Sequence, residues 1–398
     1  MRRVDLPAPL PAGSRILHIG LPKTGTSALQ ASFHAAREEL GRRGVDYVSR
    51  GANPLSAARF AAGTATGDTA RLERRWDRLA EDFRTSTAAH VVLSSEGFSG
   101  AAPDRVAWIG DRLGGEATVV VTLRPVAALL PSIWQQALRR GGLESFEEWL
   151  AGVLDPAHPH AANIRRYDPA AIIASWGRRF GEDRLVFVCG DPGDPGDRML
   201  NHRTFESLLG IDGVLELQPV LNSSPPYPEI EMLRHFNLAN GRGGEDGELW
   251  TRVLRRTARR MGDAPPSGAG TAKVRVPRWA AERINEQARE SIAALEASAA
   301  TVVGDPAHLL VDPADHPVET TAPDQVTVVS AGWFADTVAR LAVDEVEERA
   351  ARKVRRLERK VARLAERRRT TTTLDDASAR DLLLALARRA RRRSRRGR

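Results

Sequence analysis

The sequence predicts an α/β domain in three layers, a parallel sheet covered on both faces by helices, with a C-terminal amphipathic helix and a basic tail. Three observations carry this prediction. Along the first half of the 398-residue chain, short β-branched or aliphatic runs alternate with longer segments whose apolar residues recur every three or four positions. The runs are apolar almost throughout, as strands covered on both faces must be. A hydrophobic content of 42% is sufficient for one sizeable core.

Strands are expected at residues 15–19, 45–48, 91–93, 118–123 and 185–188, with helical periodicity over 27–41 and 71–88. Residues 1–13 form an extension of arginines and prolines without an apolar run, which does not read as a signal peptide. Beyond residue 219 the pattern loosens. Asn222-Ser-Ser-Pro-Pro-Tyr-Pro and Gly241-Arg-Gly-Gly read as loops, as does 265–270. Helices follow at 229–239, 249–261 and 278–297, completing a domain that spans 14–330.

After residue 331 the character changes. Val343, Ala350, Val354, Leu357, Val361 and Leu364 repeat in a surround of Glu, Arg and Lys, the pattern of a coiled-coil helix over 331–369. Such a helix could join copies into a homo-oligomer or lie on its own domain. Thr370–Thr373 reads as a break, 377–387 as a short helix, and the remainder of 370–398 as a disordered tail. The last eleven residues hold eight arginines and no acid, which equals the whole net charge of +8. That tail could contact an acidic membrane surface peripherally. The single cysteine, Cys189, excludes an intramolecular disulfide, and no run of eighteen apolar residues is present. A cytoplasmic location is expected.

Ligands of parallel sheets sit beyond the carboxyl ends of the strands. After the first strand comes Gly20-Leu-Pro22-Lys23-Thr24-Gly25-Thr26-Ser27. Glycines five apart followed by Thr-Ser make this P-loop-like, close to the phosphate-binding pattern G-x-x-x-x-G-K-[ST]. Backbone N–H groups and a helix N-terminus there would favour an anion. The departure is the lysine: Thr26 stands at its usual place, and Lys23 lies inside the loop. The strand 91–93 ends in Ser94-Ser95-Glu96 where a magnesium-anchoring aspartate would stand, so nucleoside triphosphate hydrolysis is disfavoured.

Pro22-Lys23-Thr24-Gly25-Thr26-Ser27 resembles the 5′-phosphosulfate loop of the sulfotransferase family, which uses 3′-phosphoadenosine 5′-phosphosulfate (PAPS) as sulfuryl donor. The resemblance implies that Lys23 reaches the phosphate–sulfate bridge and that no metal is needed. A second segment agrees. The strand 119–123 delivers Arg124-Pro125, and Ser132 follows eight residues on, after Pro131. Arginine's planar fork suits phosphate oxygens, and proline in a first helical turn would put Ser132 at a helix N-terminus. This is similar to the family's 3′-phosphate site. Weaker likenesses lie in 167–181 and 205–210, so the resemblance covers roughly 14–330. The family's Arg-Lys-Gly loop is missing, since Gly241-Arg-Gly-Gly imitates it poorly.

The expected activity is transfer of a sulfuryl group from PAPS to an acceptor hydroxyl of a glycan, glycolipid or metabolite. The catalytic residues would be Lys23 and Glu96. Glu96 is chosen as base because it follows the strand 91–93 after Ser94-Ser95, although a helix-capping or ion-pairing role fits it equally. Donor contacts would come from Pro22, Lys23, Thr24, Gly25, Thr26, Ser27, Arg124 and Ser132. His18 reads as a packed core residue, Trp134 and Gln135 as an apolar helix face, and His158-Pro-His160 as lacking a partner for metal binding. Two alternatives stand beside this reading: a P-loop nucleotide-dependent kinase, and a nucleic-acid-binding protein acting through the basic C-terminus.

Overall fold

The computed structural model describes residues 5–191, 194–218, 226–240, 253, 256–257, 273–319 and 328–394. The chain divides into two compact units, Met1–Arg242 with Ala258–Ala331, and Gly243–Thr257 with Gly332–Arg398.

The first unit is built on a single six-stranded sheet in which every pairing is parallel. In chain order its elements are β1 (Ser14–Gly20), α1 (Thr26–Ala35), α2 (Arg37–Arg42), β2 (Val45–Tyr47), α3 (Leu55–Ala61), α4 (Thr69–Thr85), β3 (His90–Ser94), α5 (Pro103–Leu113) and β4 (Thr118–Leu123). Then come α6 (Val126–Leu138), α7 (Phe146–Leu154), short helical turns, β5 (Leu185–Cys189), α8 (Leu200–Leu209), α9 (Tyr227–Asn240), α10 (Arg278–Ala297) and β6 (Thr301–Gly304). The five expected strands are present, and the spatial order is β2-β3-β1-β4-β5-β6. β6 was not expected; of its four residues only Val302 and Val303 are aliphatic, too short a run to announce a strand.

The strands bury both faces because their side chains alternate between two cores. Ile16, Val92, Val120 and Val186 pack with Leu29 and Phe33 of α1, Leu40 of α2 and Phe205 and Leu208 of α8. Leu17, Val91, Val119 and Phe187 face the other way, against Trp76 and Phe83 of α4, Val106 and Ile109 of α5, and Trp176. Helices therefore cover both sides of the sheet, and the architecture is three-layered.

Strand order creates a crevice. β1 and β4 are neighbours, yet the chain leaves β1 through α1 and α2 toward β2 on one side, and leaves β4 toward β5 on the other. Loops that part in this way open a gap beyond the carboxyl ends of the two strands. The loop holding Lys23 and the turn holding Arg124 border that gap.

In the second unit a helix, α11 (Val328–Ser394), starts in the last residues of the first and runs without interruption through Thr370–Thr373. The expected break there is absent, and so is a separate short helix at 377–387. Threonine is a weak helix former but not a breaker, and neither glycine nor proline occurs between Gly332 and Gly397. Arg388, Arg389 and Arg391 to Arg393 thus belong to a helix; only residues 395–398 of the tail lie outside the described residues. Within 243–257, expected to complete the α/β domain, the described residues Val253, Arg256 and Thr257 group with this unit, where Arg256 lies 3.4 Å from Glu345 and 3.6 Å from Glu348. Of the expected loop at 222–228, residues 222–225 lie outside the described residues, whereas Tyr227 and Pro228 open α9; the expected loops at 241–244 and 265–270, and most of the expected helix at 249–261, also lie outside them.

Candidate functional site

The loop after β1 is held by its own hydroxyl and by its neighbour strand. Thr24 Oγ1 donates to the Leu21 carbonyl at 2.6 Å, so the Thr122 hydroxyl of β4, 2.5 Å away, must be the donor to Thr24. Leu21 N–H donates to the Thr122 carbonyl at 3.2 Å. Asn201 of α8 donates to the Thr24 carbonyl at 3.0 Å, and Tyr167 to the Pro22 carbonyl at 3.3 Å. The loop is pinned from both layers of helices and from the sheet.

Within it, Lys23 has φ 72°, the only non-glycine among the described residues with a left-handed backbone. Such a conformation is costly for a lysine, and strain of this kind concentrates at ligand sites. Gly25, φ 90°, caps α1, whose first residues Thr26 and Ser27 carry N–H groups without intrahelical acceptors. Thr26 is buried and Ser27 exposed. Burial chiefly, with the nearby charge of Arg139, lowers the Lys23 pKa, while Glu96 opposes the shift. A half-buried ammonium beside a second cation is a place that favours an anion.

Glu96 begins a short 3₁₀ turn directly after β3, but Ser95 is the residue that caps it, accepting from Gly97 N–H at 3.2 Å. Glu96 is instead held by two amides. Gln30 of α1 donates to Oε2 at 3.1 Å and Asn53, in the loop before α3, donates to the same oxygen at 2.8 Å. Oε1 takes no hydrogen bond among the described residues. Asn53 is fixed in turn by the Ser95 hydroxyl at 2.8 Å. Gly20 lets this group approach the loop: a Cβ at Gly20 would lie 2.7 Å from Glu96 Cβ and 2.9 Å from its Cα.

Behind them His18 is fully buried, its Nδ1 2.8 Å from Ser94 Oγ and its ring edge-on to Phe205. Burial pushes its pKa down to about 3, so it stays a neutral core residue.

Arg124 follows β4 at the same edge of the sheet. From the Thr24–Thr122 contact, the backbones at Lys23 and Arg124 lie within about 20 Å, since each residue adds at most ~3.8 Å of chain. Ser132 is not where the sequence placed it. α6 already begins at Val126, capped by Pro125, so Ser132 occupies its second turn and Pro131 lies inside the helix. Its backbone N–H is committed to the helix, and only its hydroxyl can serve a ligand. The proline was read as a first-turn signal, yet buried Leu129, Leu130 and Trp134 hold the helix across it.

Other residues settle simply. Trp134 is fully buried, its indole donating to the Glu144 carbonyl at 3.1 Å, and Gln135 is buried beside it. His160 meets both Glu144 oxygens at 2.9 Å, an acidic partner sixteen residues away that the His-Pro-His spacing did not reveal. Among the described residues no three His, Cys, Asp or Glu side chains are grouped to hold a metal ion, and no helix is long and apolar enough to cross a membrane.

Gln30, Asn53, Thr122, Asn201 and Arg139 were missed by sequence reasoning. Gln30 left one trace, a polar residue on the buried side of α1 between Leu29 and Phe33. Thr122 lies inside β4, where a β-branched residue is ordinary, and the others sit in a loop or at helix ends with no periodicity to violate. Comparison with protein-family models, curated proteins and solved structures gave no match.

Proposed function

We propose that the chain is a P-loop-like sulfotransferase that moves a sulfuryl group from PAPS to an acceptor hydroxyl. The observation that carries the reading is the juxtaposition of Lys23, strained and half-buried in an anion-favouring loop, with Glu96, oriented by two amides. PAPS has a 5′-phosphosulfate and a separate 3′-phosphate, which require two cationic positions. Lys23 and Arg124 stand on the two loops that border the crevice between β1 and β4.

In this reading the first-turn N–H groups of Thr26 and Ser27, with Lys23, hold the 5′-phosphosulfate, while Arg124 and the Ser132 hydroxyl serve the 3′-phosphate. Glu96 accepts the acceptor's hydroxyl proton as the new O–S bond forms. Lys23 offsets the charge that develops on the bridging oxygen as its bond to sulfur breaks, releasing 3′,5′-adenosine bisphosphate. Fixing one Glu96 oxygen with amides leaves Oε1 for the incoming hydroxyl.

Calorimetry with 3′,5′-adenosine bisphosphate against ATP–magnesium tests the proposal. The bisphosphate should bind more tightly, and Lys23→Ala and Arg124→Ala should each weaken it about tenfold to a hundredfold, the worth of a charged hydrogen bond. Preference for ATP–magnesium, or bisphosphate binding indifferent to both substitutions, would overturn it.

A further inference from the structure

The C-terminal helix α11, in the second unit, carries a surface of its own. Every described residue from 346 to 364 is exposed. On this stretch Val354, Leu357, Val361 and Leu364 expose 53 to 64% of their surface. Their spacing of three, four and three puts all four on one side of the helix, and at about 1.5 Å per residue they form a stripe ~15 Å long. Arg352, Arg355, Arg356, Arg359 and Arg363 occupy the remaining face. Between 349 and 369 there are eleven Lys and Arg against two acids, Glu358 and Glu366.

Three occupants could cover such a face. A second copy of the chain would bring two helices, each with an excess of nine positive charges, side by side. In a parallel pair only Lys353 would meet an acid, Glu358 of the other copy. Four half-exposed aliphatic side chains per helix also fall well short of the roughly 1,200 Å² that a stable interface buries. A nucleic acid would use the cations but leave the aliphatic stripe in water. No Phe, Trp or Tyr follows Phe334, so nothing there can stack on a base. An anionic lipid surface uses both halves of the pattern: the stripe enters the acyl boundary, and the long basic side chains reach the phosphates.

We propose that residues 349–369 are an interfacial helix that docks the protein on anionic bilayers, with Val354, Leu357, Val361 and Leu364 inserted. Arg352 is already drawn to Glu345 at 2.8 Å and Glu348 at 3.0 Å, which leaves the cations beyond it as the main headgroup contacts. The docking is electrostatic at long range and apolar at contact. It needs both features.

The test is cosedimentation of the full-length protein with vesicles of phosphatidylcholine alone or mixed with phosphatidylglycerol. The protein should pellet with the mixed vesicles only. Leu357→Glu/Leu364→Glu should lower its partition coefficient at least tenfold at unchanged helicity by circular dichroism. Leu357→Ala/Leu364→Ala, which favours the helix, should give a smaller loss in the same direction. Four results would overturn the proposal: no pelleting with anionic vesicles, equal pelleting with neutral ones, pelleting indifferent to both double variants, or a dimer in light scattering that the glutamate pair dissociates. Binding to duplex DNA that exceeds vesicle binding and ignores the stripe would also overturn it, in favour of a nucleic-acid partner.

Discussion

Gly20→Ala tests the construction of the site at its tightest point. Gly20 ends β1 with φ 80°, where an alanine costs about 1–2 kcal/mol for its left-handed backbone. The new Cβ would also meet Glu96 Cβ at 2.7 Å and Cα at 2.9 Å, and Thr26 Cγ2 at 3.2 Å. The Glu96 atoms are not the free end of a flexible chain, so the strand end must shift, an overpacking cost of about 1–3 kcal/mol. The sum is about 2–5 kcal/mol. Gly13 supplies the control, because its φ is 92° but an added Cβ would meet nothing within 4 Å. Gly13→Ala should therefore show the backbone cost alone, about 1–2 kcal/mol. Urea unfolding at neutral pH, extrapolated linearly to water, measures both. If Gly20→Ala destabilises no more than Gly13→Ala, Glu96 is not held against the β1 loop and the reasoning about the site fails.

Further outcomes follow from the same geometry. Glu96→Gln should lower PAPS turnover, with water or a supplied alcohol as acceptor, about 10²–10⁴-fold, leaving bisphosphate affinity nearly unchanged; parallel losses of both would remove Glu96 from the role of base. Since burial and Arg139 lower the Lys23 pKa, an anion that restores its proton should bind less tightly as pH rises, beginning below the ordinary lysine value of 10.5. Calorimetry in buffers of different ionisation enthalpy should show proton uptake in that window, and Lys23→Met should abolish it. Burial pushes His18 down to about 3 and His202 to about 4, so both stay neutral in the fold while the unfolded chain protonates them below about 6.5. The native state should lose about 3 kcal/mol from each between neutral pH and pH ~4, and His202→Gln should flatten the slope of stability against pH in that range.

The sequence was most informative where one element could be judged from its own residues. Strands buried on both faces read as unbroken aliphatic runs, which is why β4 was legible to its ends, and α10 announced itself through a three-to-four-residue periodicity held over twenty residues. The β1 loop was legible because its glycines, lysine and hydroxyls are consecutive. Strand order, and with it the crevice between β1 and β4, was decided only by tertiary packing. So were the clamps on the site: Thr122 reaches Thr24 across 98 positions, Gln30 reaches Glu96 across 66, and Asn53 reaches it across 43. Ser132 was misplaced for the same reason, since buried contacts of α6 outweigh the local preference of Pro131. Local propensity and periodicity report on neighbours within a turn or two, whereas hydrogen bonds between distant loops exist only once the sheet has brought their ends to one edge.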